Sequence, residues 1–145
     1  MKHPQTFAET MYKHFPCEKL KAIKDYACCA FTLLWWLGID GSDWDAIFTV
    51  SNLMDSGALD KECTVYWAKC VEQLTGRTVE DVEKVQISSI KKLKEPSIVR
   101  FTRGGVGHWV GVKNGKVVFN SLEHSRCVEE GKPTEMRVLK IKGIK

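Results

Sequence analysis

The sequence predicts an α+β fold on three observations. Roughly the first two thirds of its 145 residues carry helix-spaced apolar positions and helix punctuation. From Pro96 onward the apolar residues fall instead in short runs rich in Val, Ile and Phe. Between two of those runs stands Asn114-Gly115, a dipeptide that favours a tight hairpin. Helices in succession followed by strands in succession describe a helical part packed on a small antiparallel sheet.

The elements follow in order. Residues 5–14 form an amphipathic helix with Phe7, Met11 and Phe15 near one face, and Pro16 interrupts it. Residues 28–37, Cys-Cys-Ala-Phe-Thr-Leu-Leu-Trp-Trp-Leu, are apolar on nearly every side, the mark of a helix buried mid-domain, and Gly38 ends it. Ser42-Asp43-Trp44-Asp45 supplies a cap and an acidic first turn for a helix through Met54. Residues 64–74 place Val65, Ala68, Val71 and Leu74 at helical spacing, and Gly76 closes that element. Residues 78–85 are ambiguous, and a short helix is expected over 87–93. Strands are expected over 97–101, 108–112, 116–119 and 136–141, with Asn114-Gly115 making the second and third antiparallel neighbours. Arg103 to Gly107 reads as a hairpin loop bordering any groove beside His108. Core packing is expected of Trp35, Trp36, Trp44 and Trp67, and a shared helix face of Cys63 and Cys70.

Composition narrows the function. A chain of this length is most simply one domain, residues 1–145, with a core that needs no staples. The formal net charge of +4 comes from 22 basic and 18 acidic groups spread along the chain. Neither a nucleic-acid partner nor a membrane is expected: no basic tract is concentrated enough, and no apolar run approaches the ~20 residues of a spanning helix. The first residues lack a leader-like apolar run, so a cytoplasmic setting is expected. The six cysteines (Cys17, Cys28, Cys29, Cys63, Cys70 and Cys127) show no CxxC pair, so neither a structural zinc nor a disulfide framework is implied. No metal or organic cofactor is called for.

Three residues stand out chemically. Cys28 opens the buried helix, where partial positive charge and free N–H groups favour a thiolate and can face an oxyanion. His108 sits on a strand and can serve it as base and then acid. Asn120 ends the next strand and can orient the imidazole. Trp109, beside the base, is placed to shield it from water. Cys29 competes with Cys28, since adjacent helical residues point about 100° apart and only one can face the histidine; the position nearer the helix start favours Cys28. His124, four residues after Asn120, reads as an exposed loop histidine. Each residue alone is an ordinary core or turn residue; their order and placement give the set its meaning.

With these residues in view, the chain resembles the papain-like cysteine peptidases, in particular their compact bacterial branch: the bacteriocin-leader-processing peptidases and small uncharacterised bacterial and phage-associated relatives. The likeness rests on Tyr26-Ala27-Cys28, on Gly107-His108-Trp109-Val110-Gly111-Val112, and on Val117-Val118-Phe119-Asn120-Ser121. The stretches 94–101 and 57–65 also look like the strand and connector of those relatives, so the likeness spans about residues 20–125. It implies a papain-like fold, Cys28 as nucleophile, His108 as general base and acid, and Asn120 as orienter. It also implies a peptide or protein substrate. The chain departs from the family pattern in one respect. The glutamine that usually precedes the cysteine as second oxyanion donor is missing from residues 20–27. Lys24 or Tyr26 would have to replace it, and Asp25 would cap the helix. That departure and the doubled cysteine leave a non-catalytic binding module, of a kind a phage could encode, as the alternative. A Cys28/Cys29 redox protein is the weaker third reading. The sequence leaves oligomeric state open.

Overall fold

In the computed structural model, which describes residues 1–143, helices α1 (Pro4–His14), α2 (Glu18–Tyr26), α3 (Cys28–Trp36), α4 (Asp43–Asp55) and α5 (Trp67–Thr75) come first. Strand β1 (Val79–Gln86) follows, then β2 (Ser97–Arg103), β3 (Val106–Lys113) and β4 (Lys116–Phe119). A short helix α6 (Arg126–Glu130) and the long strand β5 (Lys132–Ile141) complete the described chain. The strands form one antiparallel sheet in the order β1-β5-β2-β3-β4. The fold is α+β.

Helix α3 organises the interior. Ala30 to Leu34 are buried without interruption, as an all-round apolar sequence requires. The helix lies on β3, and the close approach depends on Gly111: a Cβ there would run into the Trp35 ring, itself stacked on Phe119 at 6.2 Å. The other face of the sheet is covered as well. Val99, Phe101, Val110 and Val112 form a second core with Cys127 of α6. The hairpin between β3 and β4 turns at Asn114 (φ 53°) and Gly115 (φ 73°), the paired left-handed geometry the dipeptide predicts. Helix α4 starts with a reciprocal capping box between Ser42 and Asp45. Among the described residues no helix is long and apolar enough to cross a membrane.

Several expectations are corrected. Residues 87–93 form no helix. Ile87, Ile90 and Leu93 reach the second core from an irregular loop, whose backbone is engaged by the hairpin through Gly115 N–H to Leu93 O at 2.9 Å. Helix α5 begins at Trp67 rather than residue 64, because Val65 is drawn into a bridge with Leu59. Cys63 therefore lies in a turn (φ 57°) and shares no helix face with Cys70, although both are buried. Trp44 is exposed, and so are Phe7 and Phe15. Helix α1 instead buries Pro4, Gln5 and Ala8. The ambiguous segment 78–85 is largely strand β1, and α6 had no counterpart in the sequence reading.

Candidate functional site

Cys28 is the first residue of α3, separated from α2 by the single residue Ala27. No side chain caps this helix start. Asp25 is thus not the expected cap; its carboxylate pairs with Lys24 at 2.7 Å. The uncapped first turn leaves backbone N–H groups beside the thiol, and those of Trp109, Cys29 and Cys28 favour its thiolate. Burial outweighs them, so the Cys28 pKa is raised above its ordinary 9.0. The resting residue is a thiol.

His108 is buried, with 5% of its surface exposed. Its Nε2 lies 2.7 Å from Asn120 Oδ1, which also accepts the Leu122 N–H at 3.0 Å. A backbone N–H only donates, so the amide atom between the two is the oxygen and Nε2 carries the imidazole proton. Nδ1 is left as an acceptor. Burial lowers the His108 pKa below its ordinary 6.5, against the Asn120 hydrogen bond, which acts to raise it. The ring is neutral at pH 7.

Cys28 and His108 line the same cleft, of about 420 Å³. A second hollow of about 330 Å³, lined by Cys28, Cys29, Trp67 and Trp109, adjoins it. The two meet over Asp25, Cys28 and Gly107, which line both. His108 and Trp109 are consecutive strand residues and face opposite sides of β3, so Trp109 does not shield the imidazole as expected; the two hollows meet at Gly107, over which the Arg100 guanidinium lies. Cys29 lines only the Trp109 half, and burial raises its pKa well above 9.0. Of the two cysteines, only Cys28 lines the cleft that His108 lines. The cleft's hydrogen bonds include none directly between Cys28 and His108. Thr32 sets their elements instead: its hydroxyl is 2.8 Å from the Cys28 carbonyl oxygen and 3.2 Å from that of Trp109.

Of the donor candidates, Lys24 lines the His108 half, but its ammonium is engaged by Asp25 and lies 5.1 Å from the Tyr12 ring centroid. Tyr26 is half exposed at the rim of the Trp109 half. His124 is exposed and also borders the cleft. The sequence reading missed Gln5. This buried residue lines the His108 half, donates through Nε2 to the Lys24 carbonyl at 2.7 Å, and accepts through Oε1 from the Ser121 hydroxyl at 2.7 Å. The first turn of α1 also grips this loop, since Gln5 N–H donates to Ser121 O at 2.9 Å and His3 Nδ1 lies 2.9 Å from Asn120 O. A lone glutamine 23 positions before the cysteine offers no spacing signal. Comparison with protein-family models, with curated proteins and with solved structures finds no match.

Proposed function

We propose that the chain is a papain-like cysteine hydrolase that cleaves a peptide-type amide through a thioester on Cys28. The observation that carries this reading is the His108–Asn120 hydrogen bond. It leaves a neutral imidazole with a free Nδ1 lone pair, on a histidine that lines the same cleft as Cys28. In the reaction, Nδ1 takes the thiol proton as sulfur bonds to the substrate carbonyl carbon. The C–N bond then breaks, and the imidazole returns the proton to the leaving amine. Water, deprotonated by the same nitrogen, adds to the thioester and releases the acid and the thiol. The Cys28 and Cys29 N–H groups of the uncapped helix start are suited to the oxyanion. Gln5 supplies the side-chain amide that residues 20–27 lack; its second Nε2 proton serves as the other donor. The groove on both sides of Cys28 suits a peptide or protein substrate. Six free cysteines suit a reducing cytoplasm.

A second reading, a non-catalytic binding module on the same fold, is favoured by the raised Cys28 pKa and the lack of a direct Cys28–His108 hydrogen bond. Acyl transfer from p-nitrophenyl acetate separates the two. The hydrolase releases nitrophenolate with turnover and carries an acetyl group on Cys28 in intact-protein mass spectra. Cys28→Ala abolishes both, and His108→Ala slows release by roughly 10²–10⁴-fold. Release no faster than from Cys28→Ala would leave the binding module as the reading.

A further inference from the structure

We propose that the Trp109 half of the cleft recognises a carboxylate, with Arg137 and Arg100 as the specificity-determining residues. The substrate engaged at Cys28 then carries an acidic side chain or a free chain terminus beside the reacting bond. This deepens the hydrolase reading and rests on it for the role of Cys28.

The sheet register brings these groups to one face. Arg100 pairs with Trp109 on one side and with Glu135 on the other, and Arg137 lies two residues beyond Glu135 on β5. Three cations converge on that single carboxylate: Arg137 hydrogen-bonds it, Arg100 approaches at 3.4 Å and Lys84 at 3.6 Å. Positive charge is thus in excess. Each guanidinium has five N–H donors, and Glu135, with 8% of its side chain exposed, occupies only part of the set. Both arginines line the hollow next to Cys28 and keep contact with solvent, Arg100 at 34% and Arg137 at 19% of the side chain.

The surroundings hold the two forks in place. The Arg137 guanidinium lies 5.1 Å from the Trp109 ring centroid, and Trp67 meets Trp109 edge-on at 6.3 Å. The Arg100 guanidinium lies over Gly107, where a Cβ would collide with it. Two acids also line this half, and neither neutralises the arginines: Asp25 is paired with Lys24, and Glu62 stands on the exposed rim. Partly desolvated guanidinium forks, one of them set against the Trp109 ring, suit bidentate carboxylate binding.

The test is binding, followed by the indole N–H signals of Trp67 and Trp109 in NMR titrations. Acetyl-Ala-Glu-Ala-amide is compared with its Gln counterpart, and acetyl-Ala-Ala with its amide. At least one charged peptide of the two pairs is expected to bind about tenfold or more tighter than its neutral twin, the effect of one charge-assisted hydrogen bond. The pair that discriminates tells a side-chain carboxylate from a chain terminus. The preference should collapse in Arg137→Gln or Arg100→Gln and weaken with salt. Equal binding within both pairs by the wild type overturns the proposal. So does a charge preference that survives both substitutions in folded variants. Failure of the hydrolase reading shows separately, as nitrophenolate release by the wild type no faster than by Cys28→Ala.

Discussion

Asn120 and His108 are joined at 2.7 Å through an amide oxygen whose identity is fixed by a second donor, the Leu122 N–H. The turn after β4 thereby sets the imidazole tautomer on β3. In Asn120→Ala the buried Nε2–H loses its acceptor and the ring is free to exchange tautomers or tilt. Acyl transfer should fall roughly tenfold to a hundredfold, a part of the 10²–10⁴ that a positioned acid–base supplies. Imidazole ¹⁵N NMR checks the cause: one Nε2–H form in the wild type, a mixture in the variant. A single Nε2–H form that persists in Asn120→Ala would remove Asn120 from the orienting role.

The lowered His108 pKa predicts two pH dependences. Between the folded pKa and 6.5 the unfolded chain binds the proton more readily, so protonation favours unfolding. This contribution to stability is complete above pH 6.5 and is lost as pH falls through that window. Urea midpoints of wild type and His108→Leu, measured from pH 7.5 to 5, should show a steeper decline in the wild type. Acyl transfer should hold near pH 6.5, fall at lower pH and stay level from about pH 7 to 9, because the neutral imidazole is the base. In His108→Ala only the thiolate reacts, and burial holds the thiol above 9.0, so the rate should climb through that range. Parallel profiles would mean that His108 takes no part.

The helix start at Cys28, the stop before Gly38 and the Asn114-Gly115 hairpin were legible because each rests on local chemistry: an apolar run, a breaker and a pair of left-handed residues. So was the α+β order. The place of β5 between β1 and β2 was not, since strand order is set by which faces bury one another. The loop over 87–93 misled because Ile87, Ile90 and Leu93 recur every three residues, a spacing that one helical turn and a core-anchored loop both satisfy. Arg100 and Arg137 read singly as surface charges, and only the β2–β5 register makes them neighbours.

Gly111→Ala should destabilise the fold by about 1–3 kcal/mol, the usual cost of overpacking a core. The new methyl meets the Trp35 ring, which cannot retreat while stacked on Phe119. Gly105→Ala is the control: its Cβ would meet nothing within 4 Å, and a change below about 0.5 kcal/mol is expected. Denaturant midpoints at constant m-value decide the matter. Equal midpoints in the two variants would show that α3 does not sit this close to β3.

Glu135→Ala should cost about 2 kcal/mol, short of the 3–5 kcal/mol for breaking a fully buried pair, because Arg100 keeps a third of its side chain in water. Burial acts to raise the Glu135 pKa, but the Arg137 hydrogen bond and the charges of Arg137, Lys84 and Arg100 prevail and hold it below 4.5. Its stabilisation is therefore present above pH 4.5 and is lost as pH falls through the lower, folded value. The stability gap between wild type and variant, followed by chemical denaturation from pH 7 down to 3, should narrow in that range. A gap independent of pH would mean that the carboxylate charge is not what holds β2 and β5 together.

Gln5 links the two chain segments on which the site depends. Its Nε2 holds the Lys24 carbonyl, four residues before Cys28, and its Oε1 holds the Ser121 hydroxyl, next to Asn120. Removing both hydrogen bonds in Gln5→Ala should cost about 1–3 kcal/mol of stability. If the second Nε2 proton also meets the oxyanion, the turnover number should fall roughly 10²–10³-fold with little change in KM, as when an oxyanion donor is lost elsewhere. Gln5→Glu refines the comparison. It keeps an acceptor for Ser121, but it sets an oxygen against the Lys24 carbonyl and brings negative charge to where the oxyanion forms. Its turnover should be no better than that of Gln5→Ala. The rates must be taken well below both melting temperatures, so that unfolding does not enter them. A loss of stability with turnover intact would leave Gln5 as a strut between helix and loop, and the second donor would have to come from elsewhere in the cleft.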